Sequence, residues 1–259
     1  MKASVSMCGN DNKKVRTVLT FLHSFGWYVL LAVSLIATLP LYLWVKSKKD
    51  KITPREFDHM VHKIASRWAQ GNVRRSRSRF HITGLENVPK DEAVVFVSNH
   101  QGDFDIAAFL AFLPVPHGYV AKIEIMKIPI LRSWMKLMRC VFIDRKSIRQ
   151  TAGALLEGVK TLKDGQSLVL FPEGTRSKSN QIGEFKPASF KLATKAKVPI
   201  VPVSITGTYL IFEANNGLIR PADVYVKIHP AIRTDELEDL SELPKNVKEI
   251  IVGGMNEKG

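Results

Sequence analysis

The sequence predicts an α/β fold, with a mixed, largely parallel central sheet flanked by helices and an N-terminal membrane-associated helical segment. Three observations carry this. Over residues 80–259, seven short apolar runs alternate with segments of helical length, the pattern of strands joined by helices. Polar clusters stand directly behind several of those runs, where open α/β sheets place their chemistry. Ahead of them lies an uncharged stretch of 21 residues, Phe25–Val45. The expected division is an anchoring helical region with a basic linker over 1–79 and an α/β domain over 80–259.

Composition narrows the class. With 259 residues and 45% hydrophobic content, the chain can bury one substantial core. Cys8 and Cys140 lie far apart and match no metal or redox spacing, which argues for a reducing compartment and against a disulfide framework. The net charge of +14 is unevenly placed, since residues 1–80 hold 15 Lys/Arg against 4 Asp/Glu. The rest is close to neutral, which argues against nucleic acid as the partner, because phosphate neutralisation drives that binding.

Taken in order, Phe25–Val45 makes about 32 Å of helix, enough for a hydrocarbon core of about 30 Å. It starts late and runs long for a signal peptide, and Pro40 kinks or ends it. Basic residues flank it on both sides (Lys13, Lys14 and Arg16; Lys46, Lys48, Lys49 and Lys51), so charge gives no orientation. A helix or helical hairpin embedded in one leaflet is the alternative to a span. Thr53-Pro54-Arg55-Glu56 combines a capping box with proline at the first helical position. Phe57, Met60, Val61, Ile64, Ala65 and Trp68 then recur at helical spacing, on a helix that either lies on the membrane or packs on the core. Beside such an anchor, the run Arg74–Arg79 suits anionic headgroups, at about 1 kcal/mol per basic residue.

The strands expected are Phe80–Thr83, Ala93–Val97, Gly118–Ala121, Cys140–Ile143, Ser167–Phe171, Ile200–Ile205 and Asp223–Ile228. Helices are expected at Ile106–Leu113, Ile130–Leu137, Ile148–Leu162, Ala188–Ala196 and, briefly, Lys245–Ile251. The acidic stretch Asp235–Glu242 reads as solvated surface.

The polar clusters carry the chemistry. Behind Ala93–Val97 stands Ser98-Asn99-His100-Gln101-Gly102-Asp103-Phe104-Asp105. His100 and Asp105 are about 140° apart on an ideal helix, so they meet only if the chain turns, and Gly102 permits a turn. A cap at Asp103 or Asp105 beside an unreactive histidine is the competing reading. Lys122-Ile123-Glu124 follows another strand, and Asp144-Arg145 a third. Most specific is Phe171-Pro172-Glu173-Gly174-Thr175-Arg176-Ser177, a strand running into a turn and then a guanidinium between hydroxyls. Arginine's forked donors match phosphate oxygens, although pairing with Glu173 or another carboxylate is the plainer role for Arg176. Together these residues suggest a general base facing an anion site.

The same residues carry a family resemblance. Asn99 to Asp105 resembles the N-H-x-x-x-x-D block of the glycerolipid acyltransferases, in particular the lysophosphatidic acid acyltransferases. Phe142-Ile143-Asp144-Arg145 resembles their second block, Phe171 to Ser177 their third and Val198-Pro199-Ile200-Val201-Pro202-Val203 their fourth. Lys122-Ile123-Glu124 resembles the Lys-x-Glu ahead of the second block. Two departures stand out: Pro129 is followed by Ile130-Leu131-Arg132-Ser133 without the usual glycine, and Phe185-Lys186 by Pro187-Ala188-Ser189.

The resemblance implies acyl transfer from acyl carrier protein or coenzyme A thioester to the free hydroxyl of lysophosphatidic acid, giving phosphatidic acid for phospholipid synthesis. It implies His100 as general base and Asp105 as the group that orients it. Arg145, Arg176 and Lys122 would hold the acceptor phosphate, Glu173, Gly174 and Thr175 would shape the glycerol site, and the fourth block would line the acyl channel or the core. No metal or redox cofactor is implied. The partners expected are membrane lipids and the two substrates, with the catalytic domain on the cytoplasmic face of a membrane. Glycerol 3-phosphate or another lysophospholipid is the alternative acceptor. A lipid esterase or thioesterase is the alternative class, weakened by the lack of a G-x-S-x-G elbow.

Overall fold

A computed structural model describes residues 4–144, 147–237 and 239–257 of the chain. Helix α1 (Ser4–Ala37) breaks at Thr38, and α2 (Leu39–Lys46) resumes with Pro40 in its first turn, where a missing amide costs nothing. The capping box forms as expected. Thr53 N donates to Glu56 Oε2 (2.9 Å) and Glu56 N to Thr53 Oγ1 (3.3 Å), opening α3 (Pro54–Arg75). Of the two readings of this helix, the structure takes packing on the core, with Phe57, Val61, Ala65, Ala69 and Val73 buried. The arginine run divides between the last turn of α3 and strand β1 (Arg79–Thr83), where Arg79 pairs with Asp223 at 2.9 Å.

The chain then alternates: β2 (Val95–Ser98), α4 (Asp103–Phe112), β3 (His117–Lys122), α5 (Pro129–Leu137), β4 (Val141–Ile143), α6 (Ile148–Lys163) and β5 (Ser167–Leu170). After a long loop come α7 (Pro187–Ala196), β6 (Ile200–Thr206), β7 (Asp223–Ile228) and α8 (Leu243–Asn256). The seven strands form one sheet in the order β1-β7-β6-β2-β5-β3-β4, parallel throughout except between β6 and β7. All seven strands and the five helices expected beyond residue 80 are present.

Residue alternation splits the core into two layers. Phe96 and Val169 face α3, α4 and α5, whereas Val95, Val97, Leu168 and Leu170 face α6, α7 and α8. Covered on both faces, the central strands read in sequence as unbroken apolar runs. Because β2, β3, β4, β5 and β6 run parallel, the residues that follow each of them emerge at the same end of the sheet. In the register, Val97 lies beside Leu170, which sets the His100 segment next to the Phe171–Ser177 loop.

The N-terminal helices combine docking with exposure. Ile219 N donates to Ser24 Oγ, Trp27 Nε1 to Asn72 O, Tyr28 Oη to Gly217 O, Trp68 Nε1 to Ser34 Oγ and Trp134 Nε1 to Thr38 Oγ1. The opposite face, including Leu22, Phe25, Val29, Val33 and Ile36, lies open. The stretch Thr17–Lys46, with a mean hydropathy of 2.0, is long and apolar enough to cross a membrane.

Candidate active site

The site is assembled from the parallel strand ends. As β2 ends, the Asn99 side chain continues its pairing with β6, its Nδ2 donating to Ile205 O and its Oδ1 accepting from Ile205 N, both at 2.9 Å. The backbone is thereby held while the chain leaves the sheet at His100. Gln101, buried, accepts from Gly207 N at 2.8 Å and donates to Asn180 Oδ1 at 2.9 Å. The loop behind β5 locks on from the other side, with Ser177 N donating to His100 O (2.8 Å) and Lys178 N to Gln101 O (3.1 Å).

Within this frame His100 and Asp105 meet. Nδ1 of His100 lies 2.7 Å from Oδ2 of Asp105, which has no exposed side-chain surface. The same oxygen accepts from Gln101 N (2.6 Å) and Gly102 N (2.9 Å), while Thr208 Oγ1 donates to Oδ1. Asp105 is thus both the cap of α4 and the partner of His100. Facing an acceptor, Nδ1 carries the ring hydrogen and leaves Nε2 with its lone pair. The imidazole stacks on Phe171, with centroids 4.0 Å apart and planes at 16°, which fixes its tilt.

Gly102 contributes otherwise than by a turn-forming conformation. Its φ of −166° is extended backbone, and a Cβ there would lie 2.3 Å from Glu213 Oε2. The left-handed glycines here are Gly174, with φ of +76° in the Pro-Glu-Gly turn, and Gly207, with φ of +97° behind β6. Glu173 points away from solvent: its Oε1 accepts from His100 N and its Oε2 from Gly183 N, each at 2.7 Å. Burial pushes its carboxyl up from the usual range, against the pull of those two amides. It ties loops together and does not line the cavity.

Beside His100 opens a cavity of about 560 Å³. His100, Asp103, Lys122, Glu124, Gly174, Thr175 and Arg176 supply its polar wall, so that a second carboxylate besides Asp103 faces it. Its other walls are apolar, built from α1, α3, α4 and α5 by side chains such as Leu35, Trp68, Leu110 and Trp134. Arg176 contacts Asp103 and lies 3.4 Å from Glu213 Oε1, so its carboxylate partners are these two and not Glu173. Glu213 Oε1 also accepts from Asp103 N at 2.7 Å. Burial raises the Glu213 carboxyl above its ordinary range, and its Oε2 is buried without a hydrogen-bond partner among the described residues.

Of the residues singled out in the sequence, His100, Asp105, Lys122, Gly174, Thr175 and Arg176 converge. Glu173 stands behind them, and Arg145 lies outside the described residues. The fourth block forms β6 and the turn before it, buried in the sheet and away from the cavity. Thr208 and Glu213 belong to no motif; only their place behind β6, a strand parallel to β2, brings them here. Among the described residues, no cluster of His, Cys, Asp and Glu suits a metal ion.

A family model described as Acyltransferase matches residues 79–206. The 1-acyl-sn-glycerol-3-phosphate acyltransferase of Borreliella burgdorferi is 33% identical over 66% of this chain and 67% of its own length. A probable enzyme of the same name from Mycoplasma genitalium is 47% identical over 53% of each chain. Several of the relatives, the Mycoplasma and chloroplast proteins among them, are thus matched over only about half their length (53% and 51%). The crystal structure of the 1-acyl-sn-glycerophosphate acyltransferase PlsC from Thermotoga maritima superposes with a TM-score of 0.81 at 28% identity, covering 93% of this chain and 96% of the other. The chain belongs to the acyltransferase family.

Proposed function

We propose that the protein moves a fatty acyl group from an acyl thioester, on acyl carrier protein or coenzyme A, to the free hydroxyl of lysophosphatidic acid, forming phosphatidic acid. The observation that carries this is the placement of the His100–Asp105 pair at the polar wall of an otherwise apolar cavity. An acyl chain is satisfied by walls of Leu110, Trp134 and Met135, and the reacting carbonyl then lies at the polar end. His100 Nε2 takes the hydroxyl proton as the acceptor oxygen attacks the thioester carbon. The new C–O bond forms, the C–S bond breaks, and the departing thiolate takes the proton back from the imidazolium. Asp105 stabilises that imidazolium through Nδ1. The thioester is already activated, so no acyl-enzyme is required.

Arg176 and Lys122, on the same wall, meet the acceptor's phosphate; Arg145 joins them on the strength of its motif alone. Gly174 and Thr175 border the glycerol, and Glu173 shapes that space by holding its two loops. The N-terminal helices attach the body to a membrane, with the catalytic region on its cytoplasmic face. Docking points run from Ser24 to Thr38, about 21 Å along a helix, with an apolar face left open. This suits a helix bedded in one leaflet beside its body.

Mass spectrometry of products tests the reading, with purified protein offered both thioester types and lysophosphatidic acid, glycerol 3-phosphate and monoacylglycerol. Phosphatidic acid should dominate, with one thiol released per product. Thiol release at the same rate without acceptor would mark a thioesterase.

A further inference from the structure

Arg176 is held by two carboxylates that are bound very differently. Glu213 is fixed: its side chain is 3% exposed, its Oε1 accepts from Asp103 N, and its Oε2 packs over the bare Cα of Gly102. Asp103 is 56% exposed on the cavity wall, and among the described residues its carboxylate pairs with the Arg176 guanidinium. One partner cannot leave without unpacking the loop; the other needs only a side-chain rotation.

We propose that Asp103 is a built-in competitor for the acceptor's phosphate and thereby a specificity-determining residue. In the free protein its carboxylate occupies Arg176; on acceptor binding the phosphate takes its place, while Glu213 keeps the guanidinium aimed at the cavity as a positioning residue. This rests on the reading of Arg176 as the phosphate-binding residue. The exchange favours phosphate-bearing acceptors, because a dianion with a planar-matched oxygen pair displaces a single carboxylate and a neutral glycerol headgroup does not. It also requires that acceptor affinity fall by the fraction of molecules in which Arg176 is already occupied. Pairing with both carboxylates holds the half-buried guanidinium at the cavity wall when the cavity is empty.

The test uses the full-length protein in mixed micelles, with steady-state kinetics on lysophosphatidic acid and on monoacylglycerol. Asp103→Asn removes the competing charge and should lower the KM for lysophosphatidic acid by about five- to tenfold, leaving that for monoacylglycerol in place. In an Arg176→Ala background, which raises the KM for lysophosphatidic acid selectively, the same substitution should change nothing, as a cycle through one interaction demands. Asp103→Ser, checked by thermal melting, serves if the asparagine variant is poorly folded. An unchanged or raised KM for lysophosphatidic acid in a folded variant overturns the proposal, as does an equal fall on both acceptors. If Arg176→Ala instead harms both acceptors alike, the phosphate reading of Arg176 itself is at fault.

Discussion

Asp105→Asn separates orientation of His100 from charge. In the native site Oδ2 accepts from three N–H groups, those of His100 Nδ1, Gln101 and Gly102, whereas among the described residues Oδ1 accepts from the Thr208 hydroxyl. An asparagine therefore places its oxygen at Oδ2 and its amide nitrogen at Oδ1, where Thr208 rotates to accept. Ring orientation and tautomer survive, and what is lost is the negative charge facing the imidazolium. A hydrogen bond to a charged group contributes about 1.5–3 kcal/mol against roughly 1 for a neutral one, and about 1.4 kcal/mol is a factor of ten in rate. The difference of about 0.5–2 kcal/mol predicts a fall in turnover of about 2- to 30-fold, with the melting temperature little changed. Asp105→Ala leaves Gln101 N, Gly102 N and Thr208 without their buried acceptor, at about 1–3 kcal/mol each, and should lose stability as well as rate. Thiol release from acyl-coenzyme A with lysophosphatidic acid, beside a melting curve, reads both. An asparagine variant within twofold of wild type would refute the electrostatic role assigned to Asp105.

Two further outcomes follow from other parts of the fold. His117 is fully buried, and burial pushes its imidazole down to about 3 from 6.5, with His62 beside it acting in the same direction. Stability from a depressed histidine is present above the unfolded value and lost as pH falls towards the folded one, so denaturant titrations at pH 7 and pH 5 should show wild type losing about 2 kcal/mol more than His117→Gln; equal losses would contradict the buried neutral histidine. Leu22, Val29 and Val33 lie exposed on the open face of α1. Replacing all three by lysine should release the protein from vesicles, since each buried apolar side chain contributes about 1.5–3 kcal/mol, while high salt should leave the native chain attached. Release of the native chain by salt would make the anchor electrostatic.

The strands were legible because a sheet covered on both faces writes apolar runs, and Val94–Val97 and Leu168–Leu170 are such runs. His100 and Asp105 were legible as a motif, but their meeting depends on contacts remote in sequence: Asn99 with Ile205, Asp105 with Thr208 and Gly102 with Glu213. Nothing local marks Thr208 or Glu213. The motif marks Glu173 but not the two amides that take its carboxylate, an arrangement set by the return of the chain at Gly183. Helix α8 runs beyond its expected end at Ile251 to Asn256, through Gly253-Gly254, a pair that local propensity reads as a stop. Gly254 is where the helix approaches Ser204 and His229 so closely that a Cβ would lie 2.4 Å from Ser204 Oγ. Tertiary closeness there selects glycine within the helix.

The central claim, that His100 takes the proton from the acceptor hydroxyl, is met most directly by the turnover of His100→Ala at saturating acyl thioester and lysophosphatidic acid. The imidazole lies at the cavity wall, and its removal leaves the Asp105 bonds to Gln101, Gly102 and Thr208 in place, so the variant should fold. A positioned base contributes roughly 100- to 10,000-fold, and a loss of at least about 100-fold is the result predicted. A folded His100→Ala protein that still turns over within tenfold of wild type would contradict the account.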